Sequence, residues 1–390
     1  MNVLILHQHF KTPEEGGALR SYFLAKALVE IGIKVSVVTG WNEKQHDVKV
    51  VEGFEVHYLP VSYSNHFGFW KRIFSFLKFV TGFIWRSEAF KDAHLCYAIS
   101  VPLTVGLAAR WLKWRYKIPY IFEVGDLWPD AAIELDVIRN PFLKNYLWKM
   151  ERRIYANADA IVALSPAIKD AIERKIPGKK ILVIPNMADT EFFKPESKNH
   201  NLEERFGVKN KFVVAYFGAM GFANGLEYLL ECALACQSEN LPVQFMLAGD
   251  GAERINLEKK SSWLGLNNLS FHSFQNRDGI LELMNVTDAV FVCYRHSAIL
   301  ETGSPNKLFD GLAAGKLIII NFGGWIKKEI EEARCGFYVD PEKPESIVPF
   351  FKSIISSNRL LEHQNRSRLL AEQKFSREKL TEQWVDFIQA

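Results

Sequence analysis

The sequence predicts an α/β protein with two doubly wound parallel-sheet domains that face each other across a cleft. The chain has 390 residues, which is too long for one ordinary hydrophobic core. Short apolar or β-branched runs alternate with longer helical patterns along the whole chain, as in parallel sheets wrapped by helices. Ligands of such sheets bind beyond the carboxyl ends of the strands, so the loops that follow the predicted strands are expected to line the cleft.

Twelve of the short runs are predicted to be strands, six in each domain. Those of the first domain are Val3–Leu6, Lys34–Val38, Phe54–Leu59, Tyr120–Val124, Ala160–Ala163 and Ile181–Ile184. Those of the second domain are Phe212–Phe217, Gln244–Ala248, Leu269–Phe271, Ala289–Cys293, Leu317–Ile320 and Gly336–Val339. We place the domains at residues 1–190 and 205–373, with the polar segment 189–210 as the linker. A last helix at about 374–390 is free to pack back on the first domain.

Composition excludes several classes of protein. Hydrophobic residues make up 48% of the chain, and the net charge is only +3, which does not favour nucleic acid as a partner. The positive charge is concentrated in residues 1–190, where 25 Lys and Arg face 19 Asp and Glu. The five cysteines form no CxxC pair and predict reduced thiols of a cytosolic protein. We expect no signal peptide and no transmembrane segment.

The segment from Glu301 to Ile320, ETGSPNKLFDGLAAGKLIII, is the most informative one. Gly303 and Ser304 precede Pro305, which begins a predicted helix. Small residues let backbone N–H groups at a helix N-terminus approach an anion, and the helix dipole favours negative charge there. Asp310, further along this helix, can accept hydrogen bonds from ribose hydroxyls. The segment therefore predicts a site for a sugar nucleotide, with its diphosphate at the helix tip.

Loops after other strands supply further candidates. In the second domain, Gly218 and Gly221 can bring N–H groups to a phosphate, and Gly249 allows a tight turn against a flat base. A plain turn is the alternative for each. In the first domain, the candidates for acceptor contacts are Gly17, Arg20, Asp126 and Trp128. The alternative role of Asp126 is to cap the N-terminus of a helix.

The segment Phe67–Arg86, FGFWKRIFSFLKFVTGFIWR, predicts a helix that is apolar except for one stripe. That stripe consists of Lys71, Ser75, Lys78 and Gly82. Such a helix suits a membrane interface or a lipid-linked acceptor, and the alternative is a core helix with solvated lysines. Residues 111–117, WLKWRYK, form a second aromatic and basic patch that suits anionic lipid headgroups.

Some expected motifs are missing. No Asp-x-Asp pair is present to hold a divalent metal on a diphosphate, so we expect the charge to be neutralised by helix tips and by Lys307, Arg295 or Lys327. No Gly-x-Gly-x-x-Gly follows the first strand, which argues against a nicotinamide oxidoreductase. No Ser or Cys nucleophile stands beside a base at motif spacing.

Four segments together resemble a known family. They are Phe122–Pro129 (FEVGDLWP), Ala158–Ser165 (ADAIVALS), Ile184–Asn186 (IPN) and Lys307–Lys316 (KLFDGLAAGK). With them the chain resembles the retaining glycosyltransferases of family 4, which have the GT-B fold of two Rossmann-like domains. The likeness spans nearly the full length. It is greatest to the branch that builds bacterial surface polysaccharides, including N-acetylfucosamine-type transferases of O-antigen and capsule assembly.

The resemblance implies transfer of a sugar from a nucleotide-diphosphate donor to a lipid-linked saccharide, with retention of the anomeric configuration. The donor is expected to carry uridine diphosphate and an N-acetylated hexosamine or deoxyhexosamine. No cofactor besides this co-substrate and no metal is implied. The expected place of action is the inner face of the cytoplasmic membrane.

Site roles follow from matching this chain to the family motifs. The resemblance assigns catalysis to Asp126, Glu301, Lys307 and Asp310. It assigns donor binding to Gly218, Gly221, Gly249, Ser273, Phe274, Thr302, Gly303, Ser304, Lys307 and Asp310. Of two family glutamates eight residues apart, the second corresponds to Asp310 and the first to Thr302, with Glu301 displaced by one.

The chain also departs from the family pattern. In the loop that contains Gly218 and Gly221, the family usually has an Arg and a Lys. The corresponding residues here are Ala219 and Asn224, and Lys307 is expected to compensate for the missing charges. A histidine common in the family is Gly125. Two alternatives therefore stay open: a nucleotide-sugar 2-epimerase of the same fold, and a non-catalytic relative that binds glycan or lipid.

Overall fold

The structure is a computed structural model that describes residues 1–64, 66–357 and 359–390. In these ranges the chain forms fourteen strands: β1 (Asn2–Leu6), β2 (Lys34–Trp41), β3 (Asp47–Val51), β4 (Phe54–Pro60), β5 (Leu95–Ile99), β6 (Tyr120–Val124), β7 (Ala160–Ala163), β8 (Ile181–Val183), β9 (Phe212–Phe217), β10 (Val243–Ala248), β11 (Leu269–His272), β12 (Ala289–Val292), β13 (Leu317–Ile320) and β14 (Gly336–Tyr338).

The same ranges contain fifteen α-helices: α1 (Arg20–Glu30), α2 (Phe69–Arg86), α3 (Val105–Tyr116), α4 (Asp130–Glu134), α5 (Pro141–Asn157), α6 (Pro166–Lys175), α7 (His200–Phe206), α8 (Glu227–Ser238), α9 (Arg254–Trp263), α10 (Arg277–Val286), α11 (Asn306–Ala313), α12 (Gly324–Ala333), α13 (Ile347–Ser356), α14 (Leu360–Leu370) and α15 (Arg377–Gln389).

The strands form two sheets. The first has eight strands in the order β3-β4-β2-β1-β5-β6-β7-β8, and the second has six in the order β11-β10-β9-β12-β13-β14. Every pairing is parallel except that of β3 with β4. Alternate residues of β1 pack on opposite faces: Val3 and Ile5 meet α1 and α15, whereas Leu4 and Leu6 meet α2 and α3. The predicted fold of two α/β domains is confirmed.

Two strands were not predicted. All five residues of β5 are buried, so the strand shows no alternation, and it includes the small residues Cys96 and Ala98. The short strand β3 lies at the sheet edge and joins β4 through a turn in which Glu52 and Gly53 both have positive φ. Such a two-residue turn requires antiparallel strands, so the first sheet is mixed and not wholly parallel.

The last helix, α15, packs on the first sheet. Its residues Leu380, Trp384 and Ile388 are buried there, and the Trp384 ring lies 4.9 Å from that of Tyr97. Ser376 accepts a hydrogen bond from Lys379 N and caps the helix. The chain therefore crosses between the sheets twice, once after β8 and once before α15.

Hydrogen bonds join the two domains along the cleft. Ser165 donates through its hydroxyl to the Thr302 carbonyl at 2.6 Å, and Asn186 N donates to the Ser304 hydroxyl at 3.0 Å. All five cysteines are free and buried. Among the described residues, no helix is both long and apolar enough to cross a membrane.

Candidate active site

The helix α11 carries the central candidates to the cleft. Pro305 stands at its N-cap, and Gly315, with φ +61°, adopts the left-handed conformation that ends a helix. The apolar side of α11 is buried against the second sheet, which leaves Asn306, Lys307 and Asp310 on the cleft side. A helix N-terminus with a cation and a carboxylate in its first two turns thus faces the first domain.

The Lys307 ammonium lies beside the glycine loop that follows β9. It donates to the Tyr216 hydroxyl at 2.9 Å and lies 3.5 Å from Asn224 Oδ1. A Cβ placed on Gly218 would be 3.6 Å from this ammonium. Burial lowers the pKa of Lys307 to about 8, because no carboxylate is paired with it among the described residues. The lysine therefore reaches the loop from which the family's usual cations are missing.

Asp310 lines a small cavity of about 110 Å³ between the domains. Gly17 and Arg20 of the first domain and Arg277 of the second line the same cavity. Burial raises the pKa of Asp310 to about 7, and the positive charge of Arg277 acts in the opposite direction. Among the described residues, the Asp310 carboxylate has no hydrogen-bond partner, although it lies near Arg277 at the start of α10.

The glycines at 218 and 249 are required in part because the two loops that contain them pack closely against each other. A Cβ on Gly249 would overlap the Gly218 carbonyl oxygen, so the two loops approach too closely for any side chain. The N–H of Gly218 donates to the Ala248 carbonyl at 2.9 Å, and that of Gly249 donates to the His272 carbonyl. A phosphate contact from either N–H would require these bonds to break. The N–H of Gly221 has no acceptor within the described ranges and remains available.

The segment before α11 is also tied down. The Glu301 carboxylate accepts a hydrogen bond from Gly323 N at 3.1 Å, at the start of α12. The Thr302 hydroxyl donates to the Ile299 carbonyl at 2.7 Å, and the Gly303 N–H donates to Leu300. A sugar contact from Glu301 or Thr302 stays a prediction, and the observed bonds account for these residues without a ligand.

Ser304, Ser273 and Phe274 occupy different parts of the cleft. The Ser304 hydroxyl lies at the domain junction and accepts from Asn186 N. Phe274 is exposed, and its ring lies 3.4 Å from where a Cβ of Gly16 would be. Ser273 accepts a hydrogen bond from the Gln275 amide. Phe274 thus faces, across the cleft, the loop of the first domain that contains Gly16 and Gly17.

Arg20 is part of a buried network in the first domain. It donates twice to Glu123, with both distances 2.9 Å, and also to the carbonyls of Ile184 and Pro185. The Tyr97 hydroxyl donates to the same glutamate. Since four hydrogen bonds hold the guanidinium, the acceptor contact predicted for Arg20 would have to share a group that is already paired.

Asp126 lies just after β6, and within the described ranges its carboxylate has no hydrogen-bond or ion-pair partner. Solvent reaches its side chain, yet the surrounding protein raises its pKa by burial. Burial also raises the pKa of Tyr294 in the second domain, and the charge of Asp126 adds to this effect. Pro129, not Asp126, occupies the N-cap of α4, so the capping alternative is wrong. Trp128 is half-buried against the core. Gly17 has a φ of +94°, and the Lys11 side chain is 3.9 Å from where a Cβ of Gly17 would be.

Sequence reasoning missed two residues of the site. Tyr216 accepts the Lys307 hydrogen bond and donates to the Ala219 carbonyl at 2.6 Å. Arg277 pairs with Asp189 of the interdomain segment and lies 3.7 Å from the centre of the Phe192 ring. Neither residue was selected from the sequence, because the contacts of Tyr216 with Lys307 and of Arg277 with Asp189 join positions 91 and 88 residues apart.

The helix α2 exposes an aromatic and cationic surface. Trp70, Phe74 and Trp85 are 78%, 70% and 87% exposed. Ser75 is buried and accepts a hydrogen bond from Gln8, so the predicted polar stripe is not a single solvent face. The exposed side of α2 instead combines lysines with large apolar side chains.

Two family models match the chain. A glycosyl transferase 4-like domain matches residues 15–187, and the domain called glycosyl transferases group 1 matches residues 198–370. The chain belongs to the family 4 glycosyltransferases. The assignment excludes the oxidoreductase alternative and confirms the expected family, whereas the N-acetylfucosamine-type branch stays a prediction.

Known proteins similar to this glycosyltransferase include two curated relatives. WcaI of Escherichia coli K12, named as a colanic acid biosynthesis glycosyl transferase, is 26% identical over 243 residues. Alpha-D-kanosaminyltransferase of Streptomyces kanamyceticus is 23% identical over 217 residues. The matches cover 61% and 54% of this chain and 59% and 55% of the relatives, so the chain matches under two thirds of either relative's length.

Solved structures share the fold over the whole chain. Sucrose-phosphate synthase from Thermosynechococcus elongatus has a TM-score of 0.78 at 16% identity and covers 100% of this chain and 98% of its own. HepE from Anabaena in complex with UDP-glucose has a TM-score of 0.72 at 16% identity, with coverage of 100% and 99%. WaaG, a glycosyltransferase involved in lipopolysaccharide biosynthesis, has a TM-score of 0.70 at 14% identity, with the same coverage.

Proposed function

We propose that this glycosyltransferase moves a sugar from a nucleotide-diphosphate donor to a lipid-linked saccharide during assembly of a bacterial surface polysaccharide. The donor is a uridine diphosphate N-acetylated hexosamine or deoxyhexosamine. Transfer retains the anomeric configuration, needs no metal, and takes place at the cytoplasmic membrane surface.

One observation carries the donor assignment. Lys307 and Asp310 lie on the cleft side of α11, within two turns of an uncapped N-terminus, and neither is paired with an opposite charge among the described residues. A diphosphate at the helix tip would be neutralised by the ammonium and the free N–H groups. Ribose hydroxyls would donate to the carboxylate.

The proposed mechanism uses charge and position. As the donor bond breaks, negative charge grows on the leaving diphosphate, and Lys307 at the α11 tip stabilises it. The acceptor hydroxyl attacks from the same face, and the diphosphate takes its proton. Asp126, unpaired at the cleft, holds the acceptor sugar by its hydroxyls, which supports the reaction by orientation.

A positively charged helix layer supports the membrane assignment. The helices α2 and α3 contain seven basic residues and no acidic one, and the one carboxylate of α5, Glu151, is buried against Lys175. These helices pack on the same face of the first sheet. Their outer side also exposes large apolar side chains: Trp70, Phe74, Leu77, Trp85, Trp114, Phe142 and Tyr146. Basic residues with interfacial aromatics suit an anionic lipid surface.

Donor use is tested by calorimetry with a panel of nucleotide sugars, followed by a transfer assay with glycolipid extracted from the producing cells. We expect binding of a uridine diphosphate sugar in the presence of a chelator, and a product whose anomeric configuration, read by NMR, equals that of the donor. Inverted product would contradict retention. Conversion of the donor without acceptor into its epimer would favour the epimerase, and binding without any turnover would favour the non-catalytic relative.

Membrane attachment is tested by sedimentation with phosphatidylglycerol vesicles. The triple variant Trp70→Ser, Phe74→Ser and Leu77→Ser should lower partitioning by at least about tenfold, because each side chain loses burial in the interface. The control is Trp263→Ser on α9, where the tryptophan is 82% exposed but lies on the other domain. Equal loss in both variants, or none in either, would contradict the assignment.

A further inference from the structure

A groove of about 600 Å³ lies between α4, α6 and the second domain, apart from the small cavity at Asp310. Its walls include Leu127, which follows Asp126, and Thr302, which stands four residues before the α11 helix. The groove therefore borders the proposed reaction centre. Its volume lies within the range of about 300–1,000 Å³ that is usual for ligand sites.

The groove contains two charged side chains that the fold does not use. Asp170 and Arg174 lie one turn apart on α6, both are exposed, and neither has an ion-pair partner in the described part of the chain. The other charges of the groove are occupied. Lys175 is held by Asp130 and Glu151, and Glu134 accepts a hydrogen bond from Ile299 N at 3.0 Å.

These features select the chemistry of the ligand. A free carboxylate and a free guanidinium side by side can accept and donate hydrogen bonds to sugar hydroxyls. The apolar side chains of Ile133, Ala171 and Ile299 also line the groove and suit the C–H face of a sugar ring. Glu134 and Asp170 have no ion-pair partner in the described part of the chain, and their negative charges disfavour a diphosphate in this groove.

We propose that this groove binds the acceptor saccharide over more than one sugar ring, with the terminal ring facing Asp126; the proposal rests on the function proposed above. The small cavity beside Arg20 has room for less, and the Arg20 guanidinium is already paired with Glu123. The enzyme would therefore prefer a short oligosaccharide to a single sugar as acceptor. Arg174 and Asp170 would determine how well it is held.

The test uses a single reactive thiol in the groove. Ala167 on α6 lines the groove, and all five native cysteines are buried, so an Ala167→Cys variant offers one accessible thiol there. Its rate of alkylation by a maleimide is measured with the mono-, di- and trisaccharide of N-acetylglucosamine and with the glycolipid extract. Glu173→Cys, exposed on the same helix but outside the groove, is the matched control.

We expect the trisaccharide or the glycolipid to slow alkylation at position 167 several-fold more than the monosaccharide does, and to leave position 173 unaffected. Adding Arg174→Ala should raise the half-protecting concentration about tenfold, the effect of losing one charge-assisted hydrogen bond. The proposal is overturned if no saccharide or glycolipid protects position 167, or if the alkylated variant still transfers sugar to glycolipid at the unmodified rate. Unchanged binding of uridine diphosphate sugar in the alkylated variant separates this result from a failure of the donor site.

Discussion

The two domains that form the cleft differ in whether their buried charged residues are paired. In the first domain, Arg20 and Glu123 neutralise each other, with two 2.9 Å hydrogen bonds and further bonds to backbone carbonyls. In the second domain, Lys307 and Asp310 lie on one helix, and neither has an ion-pair partner among the described residues. Burial moves the pKa of each towards the neutral form, and the charge of Arg277 opposes this shift at Asp310. Paired charges hold a fold together, whereas unpaired ones in a cleft are available to a ligand.

The largest expected effect is on stability in the first domain. Arg20→Met should lower the free energy of unfolding by about 3–5 kcal/mol, because it leaves the Glu123 carboxylate buried and uncompensated. Denaturant unfolding followed by circular dichroism measures this. Lys11→Met, which breaks the exposed pair with Glu15, is the control and should cost at most about 1 kcal/mol. Equal effects of the two substitutions would show that the Arg20 network is not structural.

The next largest effect is on donor affinity in the second domain. Lys307→Met should weaken binding of uridine diphosphate sugar by about 10- to 100-fold, since one charge-assisted hydrogen bond to the diphosphate is lost. Lys307→Arg should retain part of the affinity. Lys352→Met on α13 is the control, because its ammonium is exposed and paired with Glu239 at 2.7 Å on the surface of the second domain. Wild-type affinity in Lys307→Met, measured by calorimetry, would refute the proposed donor site.

The pH dependence of donor binding should be bell-shaped. Ribose hydroxyls bind the ionised carboxylate, so affinity should fall as pH drops below the pKa of Asp310, about 7. The diphosphate binds the ammonium, so affinity should also fall as pH rises above the pKa of Lys307, about 8. Each limb should approach a tenfold change per pH unit. Asp310→Asn should abolish the acidic limb and leave the basic one, and a flat wild-type profile from pH 6 to 9 would contradict both assignments.

The smallest effect concerns Tyr216, which holds Lys307 in place. Tyr216→Phe removes the hydroxyl that accepts the lysine's hydrogen bond, worth about 1 kcal/mol. We expect a few-fold loss of donor affinity and a basic limb that moves to lower pH, because the charged form of Lys307 loses a partner. Affinity and limb position are read from the same calorimetric titrations. An unshifted limb would mean that Tyr216 only fills space.

Prediction from sequence succeeded where the signal is contained in neighbouring residues. The strands β6, β7, β9 and β13 have the predicted bounds, because each is a short apolar run between turn residues. The order of Gly303, Pro305 and Gly315 predicted where α11 starts and ends. The strand β5 was not predicted because it is buried on both faces, and its sequence therefore lacks the alternation of apolar and polar residues.

The sequence allowed the residues of the candidate site to be chosen, but it did not show which of them are occupied by ion pairs or hydrogen bonds. The residues Asp126, Lys307 and Asp310 could be chosen from their place after strands and within α11. That Arg20 would be occupied by Glu123, and Glu301 by the start of α12, could not. These bonds join residues 103 and 22 positions apart, and their formation depends on how the elements pack.

The order of residues alone determined the two-domain α/β class, the helix α11 with its lysine and carboxylate, and the aromatic helix α2, because periodicity and helix capping act over a few consecutive positions. Only the tertiary structure decided which charges are paired, that Lys307 meets Tyr216 from 91 positions away, and that α4 and α6 enclose a groove with the second domain. Those outcomes depend on burial and on distances between remote segments, which folding alone brings together.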